Sequence, residues 1–443
     1  MSTLITNAVV VTMNDAHEIV RGSVGIVDGR VAFVGDVPPA HAETRFDETI
    51  DAAGAYLLPG FIQTHIHLCQ TLFRTMADDL PLLDWLRARV WPLEAAHDPA
   101  TLKISARLAA AELLKGGTTS VLTMETVHDT EAVFEAVEPT GLRATIGKCL
   151  MDADDLAPAR LQQEAAASID ESLALHARWH GAAGGRLRVT LAPRFAVSCS
   201  RELLERVAHA ADAHGLLVHT HASENRDEVA LVARLTGMSN LDYLASAGLA
   251  TERLCAAHCV WATDAEQGMM AERGVKVLHC PGSNLKLGSG IAPVAGMRRR
   301  GIVVSLGADG AACNNNLDMF QEMRLAATLQ AVKAGPGALT ARDALWMATR
   351  AGARTLGLEA EIGSIEPGKR ADLALLAPSP LHTLPDRDPY STIVYGARAS
   401  DVRATWVDGA CLVREGRLVR EDEAGLAAEA REAAELLAGR ALL

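Results

Sequence analysis

Residues 264–279 read DAEQGMMAERGVKVLH, and this stretch contains the unit that determines the fold. Asp264–Arg273 has the pattern of a helix, Gly274 ends it, and Val275–His279 is a short apolar run typical of a buried strand. Glycine is the expected residue just past a helix end, because it adopts positive φ without strain. The same order of helix, glycine and strand recurs in the middle of the chain, at residues 109–122, 131–147, 201–219 and 295–306.

Eight short apolar runs in this region are candidates for strands, and they alternate with helical segments. They lie near residues 59–64, 119–124, 143–149, 187–193, 216–221, 253–258, 275–279 and 302–308. Strands that alternate with helices predict an α/β fold with a parallel sheet. Eight of them in succession favour a closed (β/α)8 TIM-type barrel over the alternative, an open doubly wound sheet.

The two ends of the chain have a different pattern. Residues 1–58 contain short alternating runs, with Asp28-Gly29 as a hairpin turn, and residues 362–420 are similar, with a second such turn at Asp408-Gly409. We therefore predict a small β-sandwich formed by both chain ends, 1–58 and 362–420. The barrel then spans 59–361, and the Ala/Glu/Leu-rich residues 421–443 form a C-terminal helix.

Composition excludes several classes of protein. The chain has 443 residues, 49% of them hydrophobic, and a formal net charge of −13, with only the short run Arg298–Arg300 against that balance. A nucleic-acid partner is therefore not expected. No apolar run approaches the ~18 residues of a membrane helix, and no secretory signal precedes the first strand. We therefore expect no membrane partner. The eight scattered cysteines lack a CxxC pair, so we expect a cytoplasmic protein.

Histidine and aspartate residues follow several of the predicted strands, at the barrel rim where such enzymes place their chemistry. Strand one ends in His65 and His67, and residues at i and i+2 of a strand point to the same side. The ends of strands five, six and eight carry His219, His221, His258 and Asp309. Each of these residues has a structural explanation on its own, such as a buried histidine bonded to the backbone. Their convergence on one rim predicts a metal site.

Imidazole and carboxylate ligands suit zinc, and iron or manganese are also possible. A catalytic metal of this kind lowers the pKa of bound water from ~15.7 toward ~7, which makes a nucleophile available at neutral pH. Asp309 can ligate the metal and also take a proton from the water. Glu224, three residues past His221, is placed to carry a proton to a ring nitrogen and then to a leaving amine.

These motifs resemble the amidohydrolase superfamily, in its deaminase and triazine-hydrolase branch. The resemblance runs from LLPGF at 57–61 to GSIEPGKRADL at 363–373. It implies an aminohydrolase that deaminates an amino-purine or its nucleoside with metal-activated water and releases ammonia. It also implies one divalent metal, since the fourth strand (187–193) lacks the lysine that dinuclear members modify. The implied ligands are His65, His67, His221 and Asp309, with Glu224 as acid/base and His258 as the residue that holds the water or the tetrahedral intermediate.

Two subfamilies compete for the substrate, and the first is guanine deaminase. In that subfamily the residues that match Gln70 and Arg194 contact the purine. An arginine fork suits a carbonyl acceptor such as the one guanine offers. The alternative is that Arg194 pairs with a nearby carboxylate. The similar segments are 79–85, 147–152, 193–195, 198–200 and 223–228.

The second subfamily contains the deaminases of 5′-modified adenosines, such as 5′-deoxyadenosine, methylthioadenosine and S-adenosylhomocysteine. The segment Trp91–Glu94 is similar to it, and Glu94 would there contact ribose hydroxyls. The other similar segments are 283–287, 290–294, 310–312, 314–316 and 322–324. This subfamily carries histidine at the position of Arg194 and arginine at that of Lys148. Both substrates therefore stay open at this point.

Other interpretations remain. Trp85 and Trp91 lie at helical spacing and are candidates either for core packing or for stacking on the substrate. A triazine or halo-heterocycle hydrolase, a pterin deaminase and a non-catalytic assembly protein are possible on the same scaffold. The resemblance also implies a homo-oligomer that acts on a small heterocyclic molecule.

Overall fold

The computed structural model describes residues 2–41, 44–153 and 157–442. They form two sheets, and the strands follow in chain order. The strands are β1 (Ser2–Val11), β2 (Ile19–Val27), β3 (Arg30–Gly35), β4 (Glu48–Asp51), β5 (Tyr56–Pro59), β6 (Phe61–His67), β7 (Thr118–Met124), β8 (Arg143–Leu150), β9 (Leu187–Pro193), β10 (Val218–Ala222), β11 (Leu254–His258), β12 (Lys276–His279), β13 (Val304–Leu306), β14 (Asp309–Gly310), β15 (Leu373–Leu376), β16 (Val402–Val407), β17 (Ala410–Arg414) and β18 (Arg417–Leu418).

The central sheet is the TIM-type barrel that the sequence predicts. Strands β6 to β13 pair with their neighbours in chain order, and every pairing is parallel. Strand β14 then pairs in parallel with β6, which closes the sheet on itself. Each of the eight predicted strands therefore corresponds to a strand of the barrel.

The eighth barrel strand differs from the continuous run at 302–308, because it is broken into β13 and β14. Gly307 lies between the two pieces and donates its N–H to the His279 carbonyl at 3.1 Å. A Cβ at Gly307 would lie 2.5 Å from the His65 carbonyl oxygen, so only glycine fits against the first barrel strand. This close approach allows β13 to pair with β12 and β14 to pair with β6, and it places Asp309 at the rim.

Helices cover the outside of the barrel, and several of them end at the predicted glycines. Gly215 and Gly274 follow their helices in the left-handed region, with φ of 66° and 71°. The α-helices are α1 (Leu82–Trp85), α2 (Trp91–Ala96), α3 (Pro99–Lys115), α4 (Glu131–Val137), α5 (Ala165–Trp179), α6 (Ala182–Gly185), α7 (Arg201–His214), α8 (Arg226–Thr236), α9 (Asn240–Ser246), α10 (Asp264–Arg273), α11 (Pro281–Lys286), α12 (Val294–Arg299), α13 (Ala311–Asn314), α14 (Met319–Ala334), α15 (Ala341–Ala348), α16 (Arg350–Thr355), α17 (Pro380–Thr383), α18 (Pro389–Ser391) and α19 (Glu423–Ala441).

Both chain ends contribute to the second sheet, as predicted. Its order is β18-β17-β16-β15-β5-β1-β2-β3, with β4 beside β1. An isolated bridge joins Arg30 in β3 to Arg370, which lies just before β15. The sheet therefore curls back on itself, and the two layers of the predicted sandwich are parts of one continuous sheet. The side chains between the layers form a separate apolar cluster that includes Ile26, Leu57 and Trp406.

The C-terminal helix α19 packs against α2 and α3 instead of lying free on the surface. Asp422 caps its first turn by accepting from the Ala424 N–H. Its buried residues recur at helical spacing and form one apolar stripe. They are Leu426, Ala430, Ala433 and Leu437. In the described ranges, no helix has both the length and the hydrophobicity needed to cross a bilayer.

Candidate metal centre and active site

The histidines and the aspartate predicted as ligands converge at one rim of the barrel. His65 and His67 end β6, His221 lies near the end of β10, and Asp309 begins β14. One potential ligand atom from each of the four residues lies within 4.8 Å of the others. The Asp309 Oδ1 atom is 3.3 Å from His65 Nε2 and 3.1 Å from His67 Nε2, and His221 Nε2 is 3.4 Å from His67 Nε2.

Backbone carbonyls fix the direction in which the imidazoles point. The Nδ1 atom of His67 lies 2.7 Å from the Met124 carbonyl, and Nδ1 of His221 lies 2.6 Å from the Arg194 carbonyl. A carbonyl only accepts, so each Nδ1 carries the proton and each Nε2 turns a lone pair toward the centre. Such outer contacts are characteristic of histidines that bind a metal.

His65 is oriented through a second histidine. Its Nδ1 atom lies 2.6 Å from His219 Nε2, and His219 Nδ1 lies 3.3 Å from the Thr123 carbonyl. The carbonyl makes His219 Nδ1 the protonated atom, so His219 Nε2 accepts a hydrogen bond from the Nδ1–H of His65. The Nε2 atom of His65 is then a bare lone pair, and it is buried without a hydrogen-bond partner among the described residues.

Burial and charge favour the deprotonated form that a metal ligand requires in His65, His221 and Asp309, whereas the pKa of His67 shifts in the opposite direction. Burial lowers the pKa of His65 to about 4 and the pKa of His221 well below its usual range. Burial lowers the pKa of His67 too, but contact with Asp309 outweighs it and the net shift is upward. Burial raises the pKa of Asp309, but the adjacent imidazoles bring it well below its usual range. Three imidazoles and one carboxylate, with the unpartnered Nε2 atom of His65 among their ligand atoms, fit a divalent metal such as zinc.

Glu224 and His258 stand beside this cluster. His258 Nε2 lies 3.5 Å from Glu224 Oε2 and 3.8 Å from Asp309 Oδ2. The Nδ1 atom of His258 lies 2.8 Å from Asn284 Oδ1, so Asn284 fixes the ring, and its Nε2 atom faces the two carboxylates. Burial raises the pKa of Glu224 above its usual range, which favours its protonated form. A carboxyl of this kind can both take and give a proton.

Four residues at these strand ends adopt left-handed backbone conformations. The φ angles are 50° for Ser223, 67° for His258, 46° for Cys259 and 63° for Asp309. Side chains other than glycine pay a conformational cost in this region, and such residues cluster at functional sites. Here the conformation turns Asp309 and His258 toward the same point at the rim.

A buried polar cluster lies on one side of the site. Arg194 donates to both oxygens of Glu94, at 2.6 Å and 3.2 Å, and Gln70 Nε2 donates to Glu94 Oε1 at 2.8 Å. The side chains of Arg194 and Glu94 are almost completely buried. The structure thus brings together the residues predicted for the base and the ribose, and Arg194 does pair with a carboxylate.

Replacing Arg194 with methionine should destabilise the fold, because it leaves the Glu94 carboxylate buried without its charge partner. Breaking a buried pair in this way costs about 3–5 kcal/mol. We expect urea unfolding of Arg194→Met to show a loss of that size, and the double variant Arg194→Met/Glu94→Leu to recover most of it. Equal losses in the single and double variants would contradict the pairing. Arg206→Gln, which breaks an exposed pair with Glu202, is the matched control.

A cavity opens onto the metal cluster. Gln70 and Arg194 line it, and Trp85 forms part of its apolar wall. Trp91 is buried in the apolar cluster behind the wall and is not among the lining side chains. Trp85 therefore has the better position of the two for contact with a substrate.

The profile of the amidohydrolase family matches residues 56–412, which include every residue of this site. The chain belongs to the amidohydrolase family. Two curated relatives are similar over almost their whole length. A 5′-deoxyadenosine deaminase of Methanothermobacter thermautotrophicus is 45% identical over 406 residues, 91% of this chain and 92% of the relative. A 5-methylthioadenosine/S-adenosylhomocysteine deaminase of Desulforudis audaxviator is 38% identical over 438 residues, 99% of each chain.

Solved structures resemble this amidohydrolase equally broadly. An adenosine deaminase from Xanthomonas campestris with bound zinc has a TM-score of 0.91 at 35% identity, and the alignment covers 99% of this chain and 98% of the other. A zinc complex of atrazine chlorohydrolase from Arthrobacter aurescens has a TM-score of 0.91 at 25% identity, covering 98% and 100%. Guanine deaminase from C. acetobutylicum with bound guanine has a TM-score of 0.84 at 26% identity, covering 93% and 100%.

Sequence reasoning missed several side chains that hold the site of this amidohydrolase in place. Ser283 Oγ donates to Asp309 Oδ2 at 2.7 Å, Ser289 Oγ donates to Glu224 Oε1 at 3.4 Å, and Asn284 holds His258. All three lie in or just after α11, in a segment without periodic pattern. His219, which the sequence analysis placed at the same rim, orients His65 instead of joining the group of four ligands.

Proposed function

We propose that this amidohydrolase is a metal-dependent aminohydrolase that removes the amino group of a 5′-modified adenosine and releases ammonia. The observation that carries the proposal is the cluster of His65, His67, His221 and Asp309, which has a buried carboxyl, Glu224, beside it and opens onto a cavity. The curated relatives with 45% and 38% identity are deaminases of 5′-deoxyadenosine and of methylthioadenosine or S-adenosylhomocysteine.

The four ligands would hold one divalent metal, for which zinc is our proposal. Zinc when bound acts as a Lewis acid and lowers the pKa of water that it contacts. The zinc in the structures of two relatives supports this choice. His219, Met124 and Arg194 keep the three imidazoles in one orientation through the contacts described above.

The proton transfers fall to Glu224 and Asp309. The oxygen of water forms a bond to the amino-bearing ring carbon, and Glu224 carries one proton of that water to the adjacent ring nitrogen. The second proton passes through Asp309 and Glu224 to the amino group, the carbon–nitrogen bond breaks, and ammonia leaves. His258 Nε2 faces the same point and holds the oxygen that is added. General acid–base catalysis of this kind contributes about 10²–10⁴-fold to a rate.

Guanine is the second candidate substrate, and one feature of the cavity favours it. Gln70 and Arg194 both line the cavity, and the Gln70 Oε1 atom is buried without a hydrogen-bond partner in the described part of the chain. A free amide acceptor beside a guanidinium complements the amino and carbonyl groups of guanine. Glu94, however, already accepts hydrogen bonds from both terminal nitrogens of Arg194. Arg194 is therefore less available to the carbonyl group of guanine, which favours the nucleoside.

The experiment that separates the two candidates is ammonia release by the zinc-loaded protein, with 5′-deoxyadenosine, methylthioadenosine and guanine in parallel. We expect turnover of the adenosines and little or none of guanine. A site built to hydrogen-bond a particular group discriminates by ~10⁴-fold or more. Turnover of guanine alone would contradict the nucleoside assignment and would mean that Gln70 and Arg194 read the base.

Gly310 gives a separate test of Gln70. A Cβ at Gly310 would lie 2.0 Å from Gln70 Oε1 and 3.4 Å from Gln70 Cβ, so Gly310→Ala must displace the amide. A shift of ~1 Å in a group that positions the substrate costs up to ~10²-fold. We expect kcat/KM to fall by about 10- to 100-fold with zinc content unchanged. Gly268→Ala is the control, because a Cβ there meets nothing within 4 Å. Unchanged kinetics in Gly310→Ala would show that Gln70 does not position the substrate.

The remaining parts of the proposal concern organisation and setting. We place the β-rich unit at 1–58 and 362–420, the barrel at 59–361, and the C-terminal helix at 421–443. All eight cysteines are free thiols and seven are buried, which is compatible with the cytoplasmic setting that we propose.

A further inference from the structure

A second cleft opens at the end of the barrel opposite the metal ligands. Its lining comes from the beginnings of strands, whereas the ligands lie at strand ends. Arg188 is the second residue of β9, Arg253 immediately precedes β11, and Lys276 begins β12. Positions at this end of a TIM-type barrel normally serve stability and not chemistry. A concentration of charge there therefore requires a separate explanation.

Three cations line the cleft, and none of them has a carboxylate partner in the described part of the chain. Within residues 2–41, 44–153 and 157–442, no carboxylate oxygen lies within 4.0 Å of Arg188, Arg253 or Lys276. Glu252 also lines the cleft but lies beyond that distance from each of them. The chain as a whole carries a net charge of −13, so this local excess of positive charge runs against the overall balance. Local positive charge of this kind concentrates anions from solution.

Arg188 is half-buried, and it differs from the fully buried arginines of this chain. Arg143, Arg194 and Arg350 are each paired with a carboxylate, at distances of 2.9, 2.6 and 3.0 Å. The contact of the Arg188 guanidinium is with the Leu356 carbonyl, at 3.3 Å. Desolvating a guanidinium without an opposite charge is unfavourable, so Arg188 is left with donors suited to an anion.

Neutral donors complete the lining. Thr145 is the cross-strand neighbour of Arg188 and lines the same cleft. His180 Nδ1 accepts from the Val189 N–H at 3.3 Å, which leaves the proton of the neutral ring on Nε2 as a donor. Thus a guanidinium fork, an ammonium, a second guanidinium, a threonine and an imidazole N–H line one opening.

We propose that this cleft is a binding site for a phosphate-type oxyanion, either free phosphate or the phosphate group of a small organic molecule. Planar guanidinium forks pair with phosphate oxygens through two hydrogen bonds, and lysine adds a point charge. Three positive charges balance a dianion better than they balance a single carboxylate. The site is separate from the proposed deaminase centre and does not depend on it.

The test is isothermal titration calorimetry of the zinc-loaded protein at low ionic strength, with inorganic phosphate and with ribose 5-phosphate. Ribose 5-phosphate contains no purine for the active site to bind. We expect one site per chain, and an affinity that falls about five- to tenfold in Lys276→Gln and in Arg253→Gln, since each variant removes one charge-assisted contact. Arg206→Gln, an equal loss of charge on exposed α7, should change nothing. Deaminase activity should be unaffected in all three variants.

The outcomes are distinct. Tighter binding of ribose 5-phosphate would assign the site to an organic phosphate, and equal or tighter binding of inorganic phosphate would assign it to the free ion. Absence of saturable binding would overturn the proposal. An affinity equal in the wild type, Lys276→Gln and Arg253→Gln would also overturn it, because the anion would then be bound elsewhere, including at the zinc.

Discussion

Replacing Glu224 with glutamine is expected to lower kcat by about 10³-fold, because the amide cannot carry a proton from water to the ring nitrogen. The change keeps the shape of the side chain and does not touch a predicted ligand. Zinc content should therefore stay at one ion per chain, and KM should change little. Steady-state kinetics with 5′-deoxyadenosine and metal analysis of the same preparation measure both quantities.

The matched control for Glu224→Gln is Glu202→Gln, which alters an exposed carboxylate of α7. We expect the kinetics of the control to equal those of the wild type. A Glu224→Gln enzyme that keeps more than about a tenth of the wild-type kcat would exclude Glu224 as the proton carrier. Loss of zinc together with loss of activity would show instead that Glu224 maintains the metal centre.

The second large effect is expected for Asp309→Asn, which removes the negative charge among the four ligands. We expect this variant to be purified with little zinc and to lose activity by more than about 10³-fold, since metal activation of water contributes several kcal/mol. The wild type should also gain thermal stability from zinc, because a ligand at 1,000 times its Kd stabilises the folded state by about 4 kcal/mol. That gain should be absent in Asp309→Asn.

Asp227→Asn provides the comparison, since it makes the same chemical change at an exposed position near the site. It should keep both its zinc and its stabilisation by zinc. If Asp309→Asn bound zinc as tightly as the wild type, the four-residue ligand set would be wrong. Thermal unfolding with and without added zinc, together with metal analysis, measures these results.

The parts of the fold and site that depend on local periodicity could be predicted from the sequence. His65 and His67 share one side of β6 because side chains alternate along a strand, and the rim position of His221 follows from the same rule. The barrel followed from helices that end at glycines such as Gly274. These signals are properties of neighbouring residues, and the structure places all of these side chains as expected.

Other features depend on residues far apart in the chain. The sequence offered a carboxylate partner for Arg194 as an alternative, but it did not identify Glu94, which lies 100 residues away and forms the buried pair. The break in the eighth strand results from the contact of Gly307 with His65, a residue of the first strand. Asp309 adopts a left-handed conformation before Gly310, as Asp28 and Asp408 do in the two Asp-Gly turns.

Metal-dependent deamination is tested most directly by removing the metal with a chelator and then restoring zinc. With 5′-deoxyadenosine as the substrate, ammonia and the oxo product are measured in both states. We expect no product from the metal-free protein, and equal amounts of ammonia and 5′-deoxyinosine once about one zinc ion per chain is restored. Zinc-loaded protein that releases no ammonia from any amino-purine, or that instead releases chloride from a chlorotriazine, would contradict a purine nucleoside deaminase.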